Sequence, residues 1–162
     1  MRYRRLFPVL FALALALQAA LASSQQMTVQ TESGKQVVLS RADIEALPRV
    51  KVTTGAPSAS ATFEGVALKA VLEKTGAGFG ETMKGKRMTS YLLVEAADGY
   101  RVVIALPEID PAFTDKQVIL AFLKDGKPLD AKEGPYRIVI PDEKRMARWV
   151  RQVTTLKIMD VQ

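Results

Sequence analysis

The 162-residue chain contains no cysteine and no histidine, and 23 basic against 17 acidic residues give it a formal charge of +6. The missing thiol excludes disulfides, thiolate nucleophiles, iron–sulfur clusters and lipoprotein attachment, and the missing imidazole excludes a Ser-His-Asp triad and histidine-ligated zinc. With 48% hydrophobic and 25% charged residues, the composition is otherwise that of a globular protein of one domain's length.

Arg2, Arg4 and Arg5 form a charged start, residues 6–17 are almost wholly apolar, and Ala20-Leu21-Ala22 is a small-x-small cleavage site. The pattern predicts a secretory signal peptide over residues 1–22, cleaved to leave a single domain over residues 23–162. The other reading, an uncleaved anchor, has an apolar stretch of only about 17 residues, the lower limit for crossing a bilayer. Arg4-Arg5-Leu6-Phe7 is similar to a twin-arginine export motif. Tyr3 stands where that motif has Ser or Thr, which favours the general secretory route. Loss of Arg2, Arg4 and Arg5 lowers the formal charge from +6 to +3. That excess is too small to argue for nucleic acid. A cysteine-free exported chain suits the bacterial periplasm, with no membrane anchor left after cleavage.

Along the mature chain, residues 27–31 and 36–39 alternate as two short strands around the turn Ser33-Gly34. Ser40 and Asp43 are spaced as a capping box, opening a short helix through Leu47 that Pro48 stops. Residues 49–54 alternate as a third strand, and residues 55–61 read as a loop of small residues. Val66, Ala67, Ala70, Val71 and Leu72 lie on one face of a helix over residues 66–74, ended by Gly76. Residues 76–86 are Gly-rich and read as a mobile loop. Asp98-Gly99 between residues 91–96 and 100–105 is a hairpin signal, because a tight turn needs positive φ. Residues 107–113 are a loop or single helical turn. A strand over 118–123 precedes a turn at Asp125-Gly126, and residues 136–140 form another. Asp142 and Glu143 then read as the entry to a helix reaching about Val150, and residues 153–159 close the chain as a strand. About eight short strands and three short helices without regular βαβ alternation predict an α+β fold with a β-rich mixed sheet.

Four segments, in order, resemble the molybdopterin-binding domain of the sulfite-oxidase family. They are Phe63-Glu64-Gly65-Val66-Ala67-Leu68 continuing to Val71-Leu72 and Gly76; Asp98-Gly99-Tyr100; residues 118–121 with Asp125-Gly126-Lys127-Pro128-Leu129; and residues 134–141 followed by Arg148-Trp149-Val150. The resemblance implies the sulfite-oxidase fold over most of the mature chain. It also implies a molybdenum ion held by one cysteine thiolate just after an early strand. The comparable strand here, residues 49–54, is followed by Gly55 and offers Thr53 and Thr54 but no sulfur. A hydroxyl substitutes poorly for a soft anionic ligand. The family's glycine-bearing loop around the pterin is replaced by the charged, glycine-free residues 142–147, and Arg148 stands where the family has lysine.

Arg137 sits between apolar residues of a predicted strand, and the resemblance implies an anion ligand there. A structural arginine, solvated or paired, is the other reading, since a strand turns every second side chain outward. Lys144, Arg148 and Arg151 are spaced i, i+4, i+7, which on a helix makes one basic stripe, either a receptor for an anion or a solvated face. Lys84, Lys86 and Arg87 read as an anion-gripping lid or an ordinary soluble loop. Tyr100 and Tyr136 offer hydroxyls to a pocket or pack as strand residues. Trp149 is a ligand stack or a core anchor, and Asp98 is explained by its turn. Glu108 and Asp110 flank Ile109 and point apart, so they do not form a catalytic pair. No residue is assigned to catalysis or to a metal. The expected ligand-binding set is Arg137, Tyr136, Tyr100, Lys144, Arg148 and Arg151. The expected function is a periplasmic, non-catalytic domain without a cofactor that binds a small anionic ligand or a partner protein. The alternative is a molybdopterin-dependent oxidoreductase, or its pterin-holding subunit, working without a cysteine ligand.

Overall fold

A computed structural model describes residues 26–55, 60–141 and 143–161. The expected signal peptide, most of the loop over residues 55–61, and Asp142 with its expected capping role lie outside the described residues.

The chain begins with β1 (Met27–Gln30) and β2 (Gln36–Leu39), an antiparallel pair. Helix α1 (Arg41–Glu45) follows. The Asp43 amide donates to Ser40 Oγ at 3.2 Å and the Ser40 amide to Asp43 Oδ2 at 3.0 Å, the reciprocal cap the sequence indicates. β3 (Arg49–Thr54) pairs with β4 (Ala61–Ala67), which runs straight into α2 (Leu68–Glu73). β5 (Tyr91–Ala96) and β6 (Arg101–Ala105) form the hairpin around Asp98-Gly99, with Gly99 at φ +84°. β7 (Ile119–Lys124), β8 (Lys127–Pro128), β9 (Arg137–Val139) and β10 (Val153–Met159) complete the order.

Two sheets result, the first mixed and the second antiparallel throughout. The first runs β2-β1-β10-β5-β6, with β10 parallel to β1, so the last strand lies beside the first described one. The second runs β3-β4-β7-β8, with β9 also paired to β7. Both feed one apolar cluster. Val29, Leu92, Val94 and Leu156 come from the first sheet, Val66, Leu120 and Ile138 from the second, and Val71 and Leu72 from α2. β5 alternates buried and half-buried residues, as a strand with one covered face must. Residues 119–122 of β7 are buried without alternation, because β7 carries β4 on one edge, β8 and β9 on the other, and core on its faces. This is the α+β, β-rich fold expected, with ten strands among the described residues.

Three expectations are corrected. The segment around Phe63 is a central strand of the second sheet, and the helix begins at Leu68, not Val66. The apolar spacing of Val66 and Ala67 suits either element, and pairing with both β3 and β7 decides it. Gly65 makes that pairing possible: a Cβ there would lie 2.1 Å from the Leu120 carbonyl oxygen. The helix expected over residues 142–150 is replaced by one 3-10 turn at Met146–Arg148. Trp149 and Val150 are both buried, and the Ile138 amide donates to the Val150 carbonyl at 2.8 Å, which draws the segment alongside β9. Finally, the Gly-rich segment expected to be mobile is anchored. Phe79 and Met83 enter the core, and the Gly80 amide donates to the buried Asp110 carboxylate at 2.6 Å. Glu108 and Asp110 do point apart: Glu108 meets Arg148, and Asp110 also accepts the Ala112 amide at 3.1 Å.

Gly65→Ala is expected to destabilise the fold by about 3 kcal/mol or more, because the obstacle is backbone and cannot rotate away. Urea denaturation followed by circular dichroism measures it, and a midpoint equal to the parent's would remove the close approach from the account.

Candidate functional site

The six residues singled out from sequence are not brought together into one site. Arg137 and Tyr136 are neighbours along one extended segment and fall on opposite sides, as consecutive strand residues do. Tyr136 is 1% exposed. Burial pushes its phenol up to about 12, with Arg41 pulling it back and Glu45 adding to the rise. It belongs to the packing near α1.

Arg137 is buried in β9. Its guanidinium carbon lies 5.3 Å from the Phe63 ring centre and 5.5 Å from that of Trp149. The two rings meet edge to face at 5.9 Å, so Trp149 is the core anchor of the two readings. Arg137 Nη1 forms an ion pair with Glu133. Glu133 also lies 3.5 Å from Lys124 Nζ, itself 5.7 Å over Phe63. Burial pulls the Arg137 guanidinium below its ordinary value, Glu133 opposes that, and Arg151 adds to it. Arg137 Nε and Trp149 Nε1 are buried with no hydrogen-bond partner among the described residues.

Arg148, Lys144 and Arg151 do not form a stripe, since the helix that would align them is absent. Arg148 is bound internally. Its Nε donates to Glu143 Oε1 at 2.8 Å, Nη2 meets the same oxygen, and Nη1 donates to Glu108 Oε2 at 3.1 Å. Hydrogen bonds to these glutamates more than offset burial and hold its guanidinium above the ordinary value. Lys144 is exposed on the turn. Arg151 is exposed and has no hydrogen bond or ion pair to another described residue.

Arg151 and Tyr100 do meet, as walls of an open cleft of about 280 Å³ between the β5–β6 turn and residues 146–151. Tyr100 is 48% exposed, and its hydroxyl donates to the Ala147 carbonyl at 2.9 Å, tying the turn to that segment. Met146, 59% exposed, lines the same cleft. Asp98 shapes the turn by accepting the Tyr100 amide at 2.9 Å and also faces the cleft. Gln152, next to Arg151, has φ +50°, the left-handed region an L residue rarely adopts. Three hydrogen bonds hold it there: its amide to the Glu133 carbonyl (3.0 Å), its Nε2 to the Ala131 carbonyl (2.7 Å), and its carbonyl from the Ala97 amide (2.9 Å). Of the Lys84, Lys86 and Arg87 side chains, Arg87 alone is engaged among the described residues, with Glu32 and the Gly78 carbonyl; its role is to pin the Gly-rich segment. Glu133 and Gln152 were not legible as site residues. The Glu133–Arg137 spacing was the one available signal, and on a helix it would have been read.

A family model described as oxidoreductase molybdopterin binding domain matches residues 15–162. The solved structure of the sulfane dehydrogenase SoxCD from Paracoccus pantotrophus superposes with a TM-score of 0.65 at 20% identity. The match covers 85% of this chain but only 39% of that one, and it shows a shared fold. No curated protein matches the chain.

The family's domain binds molybdopterin, but the donors present here do not fit a protein-tethered molybdenum. The chain has no thiolate, and Thr53 at the end of β3 has its hydroxyl 3.1 Å from that of Thr62. Among the described residues no group of three acidic, His or Cys side chains is placed to hold a metal.

The raised Tyr136 phenol gives a pH dependence with a definite sign. From about pH 10 to about pH 12 the unfolded chain loses a proton that the folded chain keeps, so stability falls as pH rises. The loss over that window is roughly 2–3 kcal/mol. Denaturation free energies should fall less steeply across it for Tyr136→Phe than for the parent, and equal slopes would refute the assignment.

Proposed function

The chain belongs to the family of oxidoreductase molybdopterin-binding domains, and from that premise we propose that it is an exported, non-catalytic member that binds a small anionic ligand in the Tyr100–Arg151 cleft. The carrying observation is the contrast among its arginines. Arg137 and Arg148 are neutralised by glutamates, whereas Arg151 lines an open cleft without a described partner. A guanidinium offers a planar fork of donors suited to a carboxylate or phosphate. Tyr100 and Met146 add apolar surface beside it. The preferred ligand is thus an anion carried on a small apolar body. Removal of residues 1–22 places this function in the periplasm.

Absence of a thiolate supports the non-catalytic reading, because dithiolene sulfurs of a pterin alone would have to hold the metal. Native mass spectrometry with metal analysis of the exported protein tests it. The expected species begins at Ser23 and carries no molybdenum. Equimolar molybdenum with a released pterin would establish the oxidoreductase alternative, and a stable larger species would point to a partner protein. For the cleft itself, benzoate is a suitable probe. Arg151→Ala is expected to weaken its binding about tenfold in calorimetric titration, and unchanged affinity would remove the cleft.

A further inference from the structure

We infer that Glu133 is a built-in counter-ion holding the place an external anion would otherwise take on Arg137, so that the second sheet closes around a carboxylate of its own chain. Neither residue lines the Tyr100–Arg151 cleft, so this goes beyond the ligand reading above.

A buried guanidinium costs several kcal/mol unless an opposite charge and hydrogen bonds compensate it. Among the described residues, the charged groups around Arg137 are Lys124 and Arg151, both positive, and Glu133, the one anion that meets it. Without Glu133, Arg137 and Lys124 would share the Phe63 ring as two unneutralised cations.

Glu133 is also delivered by a fixed backbone. Its amide donates to Asp130 Oδ1 at 3.0 Å, and its carbonyl accepts the Gln152 amide at 3.0 Å. That second bond comes from the residue held at φ +50°. Strain of this kind persists where surrounding contacts over-determine it, and here it fixes the carboxylate's anchor point. Two buried N–H donors, Arg137 Nε and Trp149 Nε1, have no partner among the described residues beside the pair. Neutralising Glu133 would therefore leave a buried cation with additional donors ready for an oxyanion.

The experiment uses the full mature chain with inorganic phosphate as the probe. All variants carry Arg151→Ala, so that an anion in the cleft does not contribute and failure of the cleft reading remains separable. With Glu133 intact, millimolar phosphate should leave the thermal midpoint unchanged. Glu133→Gln, nearly isosteric, should lower the midpoint, and phosphate should raise it again by about 5 °C or more. Adding Arg137→Met should abolish that response. A phosphate response with Glu133 intact equal to that of Glu133→Gln would overturn the inference. So would no response in Glu133→Gln, or a response that survives Arg137→Met. If Glu133→Gln does not accumulate, Glu133→Asp withdraws the carboxylate by one methylene and should show a smaller response; none would count against the inference.

Discussion

The buried positive charge of Arg137 is the constraint on which the second sheet depends. A guanidinium in an apolar interior needs a counter-charge, flat surfaces that accept its faces, and partners for its N–H groups. Glu133 supplies the first, and Phe63 and Trp149 supply the second. Meeting these needs links four parts of the chain: β4 through Phe63, β7 through Lys124, the turn before β9 through Glu133, and the final turn through Trp149. The pull of Trp149 and Val150 toward β9 is also what prevents residues 143–150 from forming a helix.

The same arrangement separates scaffold from chemistry. The family fold is kept, including the close approach at Gly65 and the hairpin at Asp98-Gly99. Two of the cations expected to bind a ligand, Arg137 from the resemblance and Arg148 from helical spacing, are engaged internally, Arg137 by Glu133 and Arg148 by Glu143 and Glu108. What stays available lies at the edge, where Arg151 and Tyr100 border a cleft. Its geometry depends on Gln152, whose left-handed backbone is tied both to Glu133 and to Ala97 after β5. The interior ion pair and the surface cleft thus share one backbone connection.

Most strands were legible because alternation survives wherever one sheet face is covered, as in β1, β3, β5 and β10. β4 was not, since Gly65-Val66-Ala67-Leu68 carries apolar residues at spacings that suit a helix as well as a doubly paired strand. The helix expected over residues 142–150 failed for a related reason. Its charged residues recur at helical intervals, yet the adjacent Trp149 and Val150 both face the interior, which the periodicity of the polar residues did not register. At the site, the sequence supplied the right residue types but grouped them by helical spacing, so Lys144, Arg148 and Arg151 were joined and Glu133 was overlooked.

The sequence alone determined the chemistry that is out of reach, because a chain without a thiol or an imidazole lacks them in any conformation. It also determined the strand pattern, the capped helix and the hairpin, which depend on residues a few positions apart. Only the tertiary structure decided which of Arg137, Arg148 and Arg151 has no charged partner among the described residues. Charge pairing depends on distances across sheets and turns, where Glu108 reaches Arg148 from 40 positions away and Glu133 meets an arginine through a turn rather than along a helix.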